Sequence, residues 1–347
     1  MSWETAKMAI DFFLERSRAM PEVIVGFYGG EPMLEFELIK RCVEYTESQV
    51  EGKTIRFNVT SNGTILTEEI MDFLAEKNFL LSISLDGSKE EHDVTRKFAN
   101  GDGSFDTVIN NIKSIQKRYP DYVKNIAIMT TINPHMDLGC VLEYFSTSDI
   151  FGDKNILFNE MTEMDLKYKI DYSEKYYLIR SFEYMKMVFS AAGKLENQYV
   201  SALTLRSRDM IADRLASVQR RGDMGSVFHH SGPCLPGVLR LFVRVDGALF
   251  PCERVNEELD FFRIGTLDRG LDIDKIRNLL NIGRITESEC KSCWHIRHCS
   301  ICSGQIEFDV EPSKAEKFAE CAKISLQTMF NLYELAVLSE FGLKEER

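Results

Sequence analysis

The cysteines in the last third of the chain constrain the fold more than any other feature of the 347-residue sequence. Seven of the nine cysteines lie between positions 234 and 321. Two residues separate Cys290 from Cys293, and two separate Cys299 from Cys302, so a tight turn can aim both thiols of each pair at one centre. Converging thiols are typical of structural zinc sites and iron–sulfur sites. The sequence therefore predicts a metal or cluster site in this segment.

Two further cysteines flank a predicted β-hairpin. Residues 238–245 and 248–250 are largely apolar and are separated by Asp246-Gly247, a dipeptide that favours a type I′ turn. Cys234 precedes the first predicted strand and Cys252 follows the second. The turn is therefore expected to bring these two thiols together.

Composition limits the classes of partner and compartment. Hydrophobic residues make up 44% of the chain, enough for a large core, and the formal net charge is −12. That charge argues against nucleic acid or an anionic membrane as the main partner. We find neither an apolar run of membrane-spanning length nor a signal peptide, so a cytoplasmic protein is expected. Thiols stay reduced there, which favours metal ligands over disulfides.

Predicted helices and strands alternate through residues 1–160. Five apolar strands are expected, at 22–28, 54–60, 79–85, 125–131 and 156–159. The intervening helices are expected at 3–18, 35–49, 67–77, 104–118 and 138–146. This alternation predicts an α/β fold with a parallel sheet and crossover helices, and nearly all-apolar strands predict burial on both faces.

Glycines and polar residues follow the carboxyl ends of the first three strands, the edge where α/β folds bind ligands. They form Gly29-Gly30-Glu31-Pro32, Ser61-Asn62-Gly63, and a third group of Ser84, Asp86, Gly87, His92, Asp93 and Arg96. Glu31 could accept a hydrogen bond from an ammonium, and Arg96 could hold a carboxylate in a fork. Each motif alone is equally compatible with a turn, a capping loop or a surface salt bridge.

Taken together, these residues resemble the radical S-adenosylmethionine (SAM) enzymes. The three polar motifs are similar to the barrel of that family, and the cysteines resemble the SPASM domain of its peptide-modifying members. The SPASM-like pattern is Cys234-x12-Gly247-x4-Cys252, then Cys290-x2-Cys293-x5-Cys299-x2-Cys302, then Cys321. The resemblance implies a partial (β/α)6 TIM-like barrel that lacks its first strand at 1–164, and a helical bridge at 165–227. It implies a SPASM auxiliary iron–sulfur domain at 228–347, with the β-hairpin and a terminal helix at 314–341.

The resemblance also implies roles for individual residues. The loop of Gly29, Gly30, Glu31 and Pro32 would hold SAM at its methionyl ammonium. Ser61 and Asn62 would lie near the ribose, and Arg96 would bind the carboxylate. Ser84 and Asp86 would also belong to the SAM site. One auxiliary 4Fe–4S cluster would be bound by Cys290, Cys293, Cys299 and Cys321. A second, with one iron left open, would be bound by Cys234, Cys252 and Cys302. No catalytic side chain is assigned.

The sequence departs from the family pattern in two places. Members usually have three residues, not two, between the cysteines that match Cys299 and Cys302. The family's Cys-x3-Cys-x2-Cys motif, which holds the cluster that cleaves SAM, is not found in the sequence. Cys42 and Cys140 are solitary and are expected to fill the core as small hydrophobic residues. We therefore expect Met1 to be an internal methionine of a longer chain, the alternative being a homologue without that cluster.

The resemblance implies a radical SAM oxidoreductase that installs thioether crosslinks in a ribosomally made, cysteine-rich peptide. It implies SAM and two auxiliary 4Fe–4S clusters as cofactors, a catalytic cluster only in a full-length form, and an electron donor such as flavodoxin or ferredoxin. One alternative is a maturase that makes formylglycine in sulfatases. The other is a non-catalytic peptide-binding protein whose cysteines hold zinc or a cluster. The chain as given is not expected to cleave SAM reductively.

Overall fold

The computed structural model describes most of the chain. Its description leaves out residues 51, 149, 151–155, 162–170, 202–203, 207, 211–221, 223–224, 231, 233 and 342–347. The chain forms two compact units, one comprising Met1–Arg16 and Ala216–Ser339, the other Ser17–Leu215 and Glu340–Arg347. We call them the cysteine-rich unit and the sheet unit. Each is described by itself.

The sheet unit contains five parallel strands in the order in which they occur in the sequence. The strands are β1 (Glu22–Phe27), β2 (Thr54–Ser61), β3 (Leu80–Ser84), β4 (Ile126–Ile132) and β5 (Ile156–Glu160). The helices of this unit are α2 (Phe36–Gln49), α3 (Glu68–Glu76), α4 (Lys89–Thr95), α5 (Phe105–Arg118), α6 (Leu138–Thr147) and α7 (Glu174–Ala191). The predicted α/β class with a parallel sheet is confirmed, whereas closure into a partial barrel stays a prediction.

Local sequence signals explain where several helices begin. The Thr67 hydroxyl accepts a hydrogen bond from the Ile70 backbone N–H at 3.3 Å and caps α3, as predicted from Thr67 and the acidic residues after it. Ser2 likewise accepts from the Thr5 N–H at 3.1 Å, ahead of helix α1 (Trp3–Arg16). Such caps satisfy backbone donors that have no partner within the helix.

The prediction that every strand is buried on both faces is wrong for β1. This strand is at the edge of the sheet, and within it only Val23 is buried, whereas Ile24 is 50% exposed. In β3 and β4, buried residues alternate with partly buried ones. An edge strand has a neighbour on one side only, so an apolar sequence does not by itself imply two covered faces.

The core of the sheet unit lies between the sheet and its helices. It includes Phe57, Phe79, Leu81, Val108 and Val141, each at most 3% exposed. Because all five strands are parallel, their carboxyl ends lie at one edge of the sheet. That edge carries the loops with the glycine and polar motifs.

The cysteine-rich unit has a four-stranded antiparallel sheet. Its strands are β6 (Phe242–Val243), β7 (Ala248–Phe250), β8 (Gly265–Thr266) and β9 (Gly270–Leu271), and after α1 its helices are α8 (Ile273–Leu280), α9 (Glu287–Cys290) and α10 (Lys314–Glu340). Ala248, Leu249 and Phe250 are buried in one hydrophobic cluster of this unit. The second cluster contains isoleucines together with Cys290, Cys293, Cys299 and Cys321.

The predicted hairpin forms, but the predicted strand length and turn type are wrong. Only Phe242 and Val243 of the first predicted strand pair with β7. A type I′ turn requires positive φ at both central residues, and among the described residues the sole non-glycine with positive φ is Asn78. Here Gly247, at φ +85°, donates its N–H to the Arg244 carbonyl, and the Arg244 N–H bonds to the Ala248 carbonyl. That pattern is a type I turn followed by a glycine bulge.

The segment predicted as a helical bridge is described in part. Its first helix is α7, and most of residues 202–221 lie outside the described part of the chain. The terminal helix α10 closely matches its predicted range. The division at 164 and 227 stays a prediction. Within the described part of the chain, no helix is long and apolar enough to cross a membrane.

Candidate functional site

Two glycines shape the loop after β1. Gly29 has φ +106° and Gly30 φ +51°, both in the left-handed region that side chains with a Cβ rarely adopt. A Cβ at either position would meet no atom within 4 Å, so backbone conformation alone, and not crowding, requires glycine here. The two residues leave an open stretch of backbone at the edge of the sheet.

Glu31 joins the ends of the first two strands. Its Oε1 accepts hydrogen bonds from the Met33 N–H at 3.1 Å and from the Ser61 hydroxyl at 2.8 Å. Its Oε2 accepts from the Asn62 N–H at 2.6 Å. These three donors fix the orientation of the half-buried carboxylate. The loop therefore holds a fixed negative charge beside the two glycines.

Ser61 and Asn62 mainly brace this loop. The Ser61 oxygen also accepts from the Gly63 N–H at 3.0 Å, and the side chain is 2% exposed. The Asn62 Oδ1 accepts from the N–H and the hydroxyl of Thr64 at 2.9 and 2.6 Å. Ser61 therefore helps to position Glu31, and the role near a ribose that the family resemblance implies for it stays a prediction. The remaining member of this loop, Pro32, is buried at the first position of a short 3-10 helix.

Asp86 and Arg96, which follow the third strand in the sequence, form an ion pair. The Arg96 Nε donates to the Asp86 Oδ2 at 2.5 Å and its Nη2 to the Oδ1 at 3.2 Å. The Oδ1 also accepts the Thr131 N–H at 2.9 Å, so Asp86 links β3 to β4. Asp86 is 2% exposed. Its negative charge partly neutralises the guanidinium of Arg96, which was predicted to face the SAM carboxylate. The last predicted residue, Ser84, is half-buried at the end of β3.

A buried histidine sets the position of this ion pair. The His92 side chain is fully buried, and its Nδ1 accepts the Asp86 N–H at 3.2 Å. Nε2 is therefore the protonated nitrogen and donates to the Ser104 hydroxyl at 2.9 Å. That hydroxyl donates in turn to the Arg96 carbonyl at 3.0 Å. This chain of bonds fixes the backbone of both ion-pair partners.

His92 is expected to make the stability of the sheet unit depend on pH. Burial lowers the pKa of His92 from 6.5 to about 4. Between these values the unfolded chain binds more protons than the folded chain, so the stabilising contribution is complete above pH 6.5 and is lost as pH falls toward 4. The loss is on the order of 3 kcal/mol. NMR of ¹³C-labelled histidine, assigned with His92→Gln, should show a neutral ring at pH 5.5, and a protonated ring there would contradict the assignment.

A cavity at the ends of β4 and β5 was missed by the sequence analysis. It has a volume of about 260 Å³. Its polar lining consists of Asn159, Glu160, Tyr176 and Arg180, and the Tyr176 hydroxyl and Arg180 both bond to the Glu160 carboxylate. Asn159-Glu160 directly follows the apolar part of its strand. The signal that identified the first three loops could therefore have found this one.

The seven clustered cysteines fall into two groups within the cysteine-rich unit, and no disulfide joins any of the nine cysteines. The first group comprises Cys290, Cys293, Cys299 and Cys321, which line one hydrophobic cluster. Burial raises the pKa of Cys299 and of Cys321, and their electrostatic neighbours include other members of the group. The structure therefore brings together the four thiols that the family resemblance assigned to one site.

The second group comprises Cys234, Cys252 and Cys302. Burial raises the pKa of Cys302 and of Cys252, and Cys302 interacts electrostatically with both other members. Cys234, which precedes the hairpin, is exposed. This group contains three sulfurs where the first contains four.

Backbone N–H groups point at three of these sulfurs. In each case the donor is two residues further along the chain, and the pairs are Arg254 with Cys252, Ile301 with Cys299 and Gly304 with Cys302. These bonds oppose the effect of burial because they stabilise the thiolate. Hydrogen bonds to ligand sulfurs are also one of the means by which proteins set the potentials of iron–sulfur clusters.

The cysteine sulfurs could hold either a metal ion or an iron–sulfur cluster. Among the described residues, no three Cys, His, Asp or Glu side chains are placed to hold one metal ion. In a zinc site every sulfur binds the same ion at about 2.3 Å. In a 4Fe–4S cluster each cysteine binds a different iron, so the sulfurs lie farther apart. The four thiols of the first group and the N–H contacts at the sulfurs match the ligand chemistry of a 4Fe–4S cluster.

The two solitary cysteines differ from each other. Cys42 is 5% exposed in the core, and burial raises its pKa to about 11, as expected of a core residue. Cys140 is exposed on α6, so the prediction that it fills the core is wrong. An amphipathic helix exposes one face, and the residue type alone does not reveal which face carries it.

Comparison with known proteins shows similarity to one enzyme superfamily in the first part of the chain. The sequence profile described as "Radical SAM superfamily" matches residues 3–137. A serine-type anaerobic sulfatase-maturating enzyme from Bacteroides thetaiotaomicron is 35% identical over 118 residues, which are 34% of this chain and 28% of the relative. A cysteine-type anaerobic sulfatase-maturating enzyme from Clostridium novyi is 24% identical over 283 residues, or 78% of this chain and 70% of that enzyme.

The fold is similar to that of a solved structure described as native anSMEcpe with bound AdoMet and Kp18Cys peptide. The TM-score is 0.65 at 20% sequence identity, and the match covers 98% of this chain and 91% of the other. At this identity the match supports a common fold only. Residues 3–137 therefore match the radical SAM superfamily, and over 78% of its length the chain is similar to an anaerobic sulfatase-maturating enzyme.

Proposed function

We propose that the chain is the peptide-maturing part of a radical SAM enzyme that oxidises a side chain of a peptide substrate. The proposal rests mainly on the two groups of cysteines, whose sulfurs have N–H donors beside them. The same chain matches the radical SAM superfamily over residues 3–137. The solved structure of similar fold, which is described with bound AdoMet and a peptide, supports both classes of ligand. SAM and its reducing cluster supply hydrogen-abstracting radical chemistry, which belongs to the cofactors.

The residues of this chain bind and orient SAM and the auxiliary clusters. In our proposal the backbone of Gly29 and Gly30 approaches the methionyl group of SAM, and the Glu31 carboxylate accepts its ammonium. Asp86 holds Arg96 beside the cofactor, so that the carboxylate of SAM meets a positioned guanidinium. The four-sulfur and three-sulfur groups hold the two auxiliary clusters. Residues 1–347 lack a Cys-x3-Cys-x2-Cys motif, so cleavage of SAM is proposed only for a form that carries it.

Two versions of the reaction follow from different observations. The group of three sulfurs favours thioether formation, because Cys234, Cys252 and Cys302 would hold a cluster that could also accept a substrate thiolate as a ligand. The reaction breaks one S–H and one C–H bond and forms one C–S bond, so two electrons and two protons leave the peptide. One electron leaves with the abstracted hydrogen. Clusters held by the two cysteine groups would supply a route for the other electron to an oxidised carrier such as flavodoxin or ferredoxin.

The similarity to sulfatase-maturating enzymes favours formylglycine formation at least as strongly. Serine becomes the aldehyde by losing two hydrogens, which carry two electrons. Cysteine loses two hydrogens as well, and water then replaces its sulfur, which leaves as sulfide. In this version the substrate is a sulfatase segment rather than a cysteine-rich peptide.

Product analysis tests the proposal and separates its versions. A form that contains the SAM-cleaving cluster should convert a cysteine-containing peptide to a modified product in the presence of SAM and a reductant. A product that has lost two hydrogens and its alkylatable thiol indicates a thioether, whereas one that reacts with a hydrazide probe indicates formylglycine. If SAM is cleaved but neither product forms with cysteine-rich or sulfatase-derived peptides, the proposed function is wrong.

A further inference from the structure

A buried lysine lies against the group of four sulfurs. Lys317, on α10, is 1% exposed, although lysine is among the residues least often buried. Its Nζ donates to the Thr286 hydroxyl at 2.5 Å, and it lies 3.8 Å from the Sγ of Cys290 and 3.8 Å from the Sγ of Cys321. Two of the four predicted cluster ligands therefore contact one ammonium.

The surroundings of Lys317 differ from those of its neighbours on the same helix. Lys314 pairs with Glu289 and Lys323 with Glu320, both as exposed lysines. Within the part of the chain that the structure describes, no carboxylate forms an ion pair with Lys317. The hydroxyl of Thr286 is neutral, and that residue is itself 1% exposed.

A buried ammonium without an anion nearby is unfavourable, because it has lost its hydration without gaining a charge partner. Two neutral thiols and a hydroxyl would leave the charge of Lys317 uncompensated. Thiolates bound to iron would compensate it, and the isoleucine-rich surroundings would strengthen the attraction because the local dielectric constant is low. The placement of this cation therefore points to negative charge at the four sulfurs.

We propose that Lys317 is the charge partner of the auxiliary cluster held by Cys290, Cys293, Cys299 and Cys321, and that it raises the reduction potential of that cluster. The inference rests on the proposed function, since it requires a cluster at this site. Reduction adds one electron and makes the cluster more negative, so a fixed cation 3.8 Å from two of its sulfurs stabilises the reduced state. Lys317 acts here as a positioning residue and takes no part in the bond changes of the substrate.

Lys317→Gln provides the direct test. Glutamine keeps an N–H donor for Thr286 but removes the charge. Redox titration followed by electron paramagnetic resonance (EPR) should show that the equilibrium constant for one-electron reduction falls at least tenfold, a shift of about 59 mV toward negative potential. Lys317→Arg keeps the positive charge, so the reduction potential of its cluster should stay close to that of the wild type. Cys302→Ala identifies which EPR signal belongs to the four-sulfur site.

The matched control is Lys323→Gln. It removes the same charge from the same helix at an exposed position that pairs with Glu320. If Lys317→Gln shifts the potential no more than this control does, Lys317 does not tune the cluster. If the wild-type chain binds no iron at all, it is the proposed function that fails, so the two failures are distinguishable.

A measurement on the wild-type chain covers the case in which the variants do not fold. Lysine labelled with ¹⁵N at Nζ should give a nitrogen coupling in electron–nuclear double resonance spectra of the reduced cluster, because the ammonium lies against two ligand sulfurs. The coupling should persist in Lys323→Gln, which leaves the Lys317 ammonium in place. Absence of any ¹⁵N coupling in the wild-type chain would overturn the proposal.

Discussion

In the Cys290→Ala variant, the iron bound per chain is expected to fall by about half, because one of two clusters loses a ligand. Cys302→Ala should cause a similar loss from the other site. The two variants should leave different EPR signals, since the structure places these cysteines in separate groups. Cys42→Ala is the matched control, because Cys42 is a core residue of the sheet unit and should leave the iron content unchanged.

The same variants connect the clusters to the proposed reaction. In a form that carries the SAM-cleaving cluster, Cys302→Ala should abolish the modified peptide while reductive cleavage of SAM continues. The reason is that the radical is generated elsewhere, whereas the second electron and any substrate thiolate need the auxiliary site. If the thioether still forms in this variant, the three-sulfur group has no role in the chemistry. If a single cysteine substitution removes all of the iron, the two groups are not independent sites.

Glu31→Gln is expected to weaken binding of SAM by about 10- to 100-fold. That factor corresponds to about 1.5–3 kcal/mol, the usual contribution of a hydrogen bond to a charged group. The substitution removes the negative charge proposed to meet the methionyl ammonium, and an amide nitrogen then faces the donors of Met33, Ser61 or Asn62. Equilibrium dialysis with labelled SAM measures the effect.

Glu35→Gln is the control for this substitution. Glu35 is exposed at the end of the same short 3-10 helix, and its replacement changes the net charge equally. Circular dichroism would show whether the sheet remains intact in both variants. Equal affinities for wild type and Glu31→Gln would contradict the assignment of Glu31 as a cofactor ligand, as would a wild-type chain that does not bind SAM at all.

The strand and helix pattern of the sheet unit could be predicted from local sequence because each element carries its own signals. Largely apolar runs of four to seven residues predicted the strands, and Thr67 marked a helix start through a cap that the structure contains. The edge exposure of β1 could not be predicted in this way. It depends on which strands are neighbours, and a single strand's composition does not record that.

The glycine bulge at Gly247 shows a second feature that the local sequence does not determine, the type of turn. The dipeptide Asp246-Gly247 correctly marked a hairpin, but the turn type depends on the backbone angle of Asp246 and on pairing further along the strands. Two turn types share this sequence signal, and they place glycine at different positions.

Lys317 and Arg180 show why parts of the candidate site were missed. Each lies in a helix that also carries exposed charged residues, and a lysine or arginine there ordinarily extends into solvent. Only the tertiary fold shows that Lys317 turns toward two sulfurs and that Arg180 lines a cavity. The cysteines, in contrast, were found by their spacing, although spacing alone left zinc and iron equally open.

The most direct test of the central claim is the iron and acid-labile sulfide content of the chain after anaerobic purification. Two auxiliary 4Fe–4S clusters predict about eight irons and eight sulfides per chain, and a brown protein with EPR signals on reduction. A colourless protein that binds zinc and contains no sulfide would contradict the account and would favour a non-catalytic zinc-binding protein.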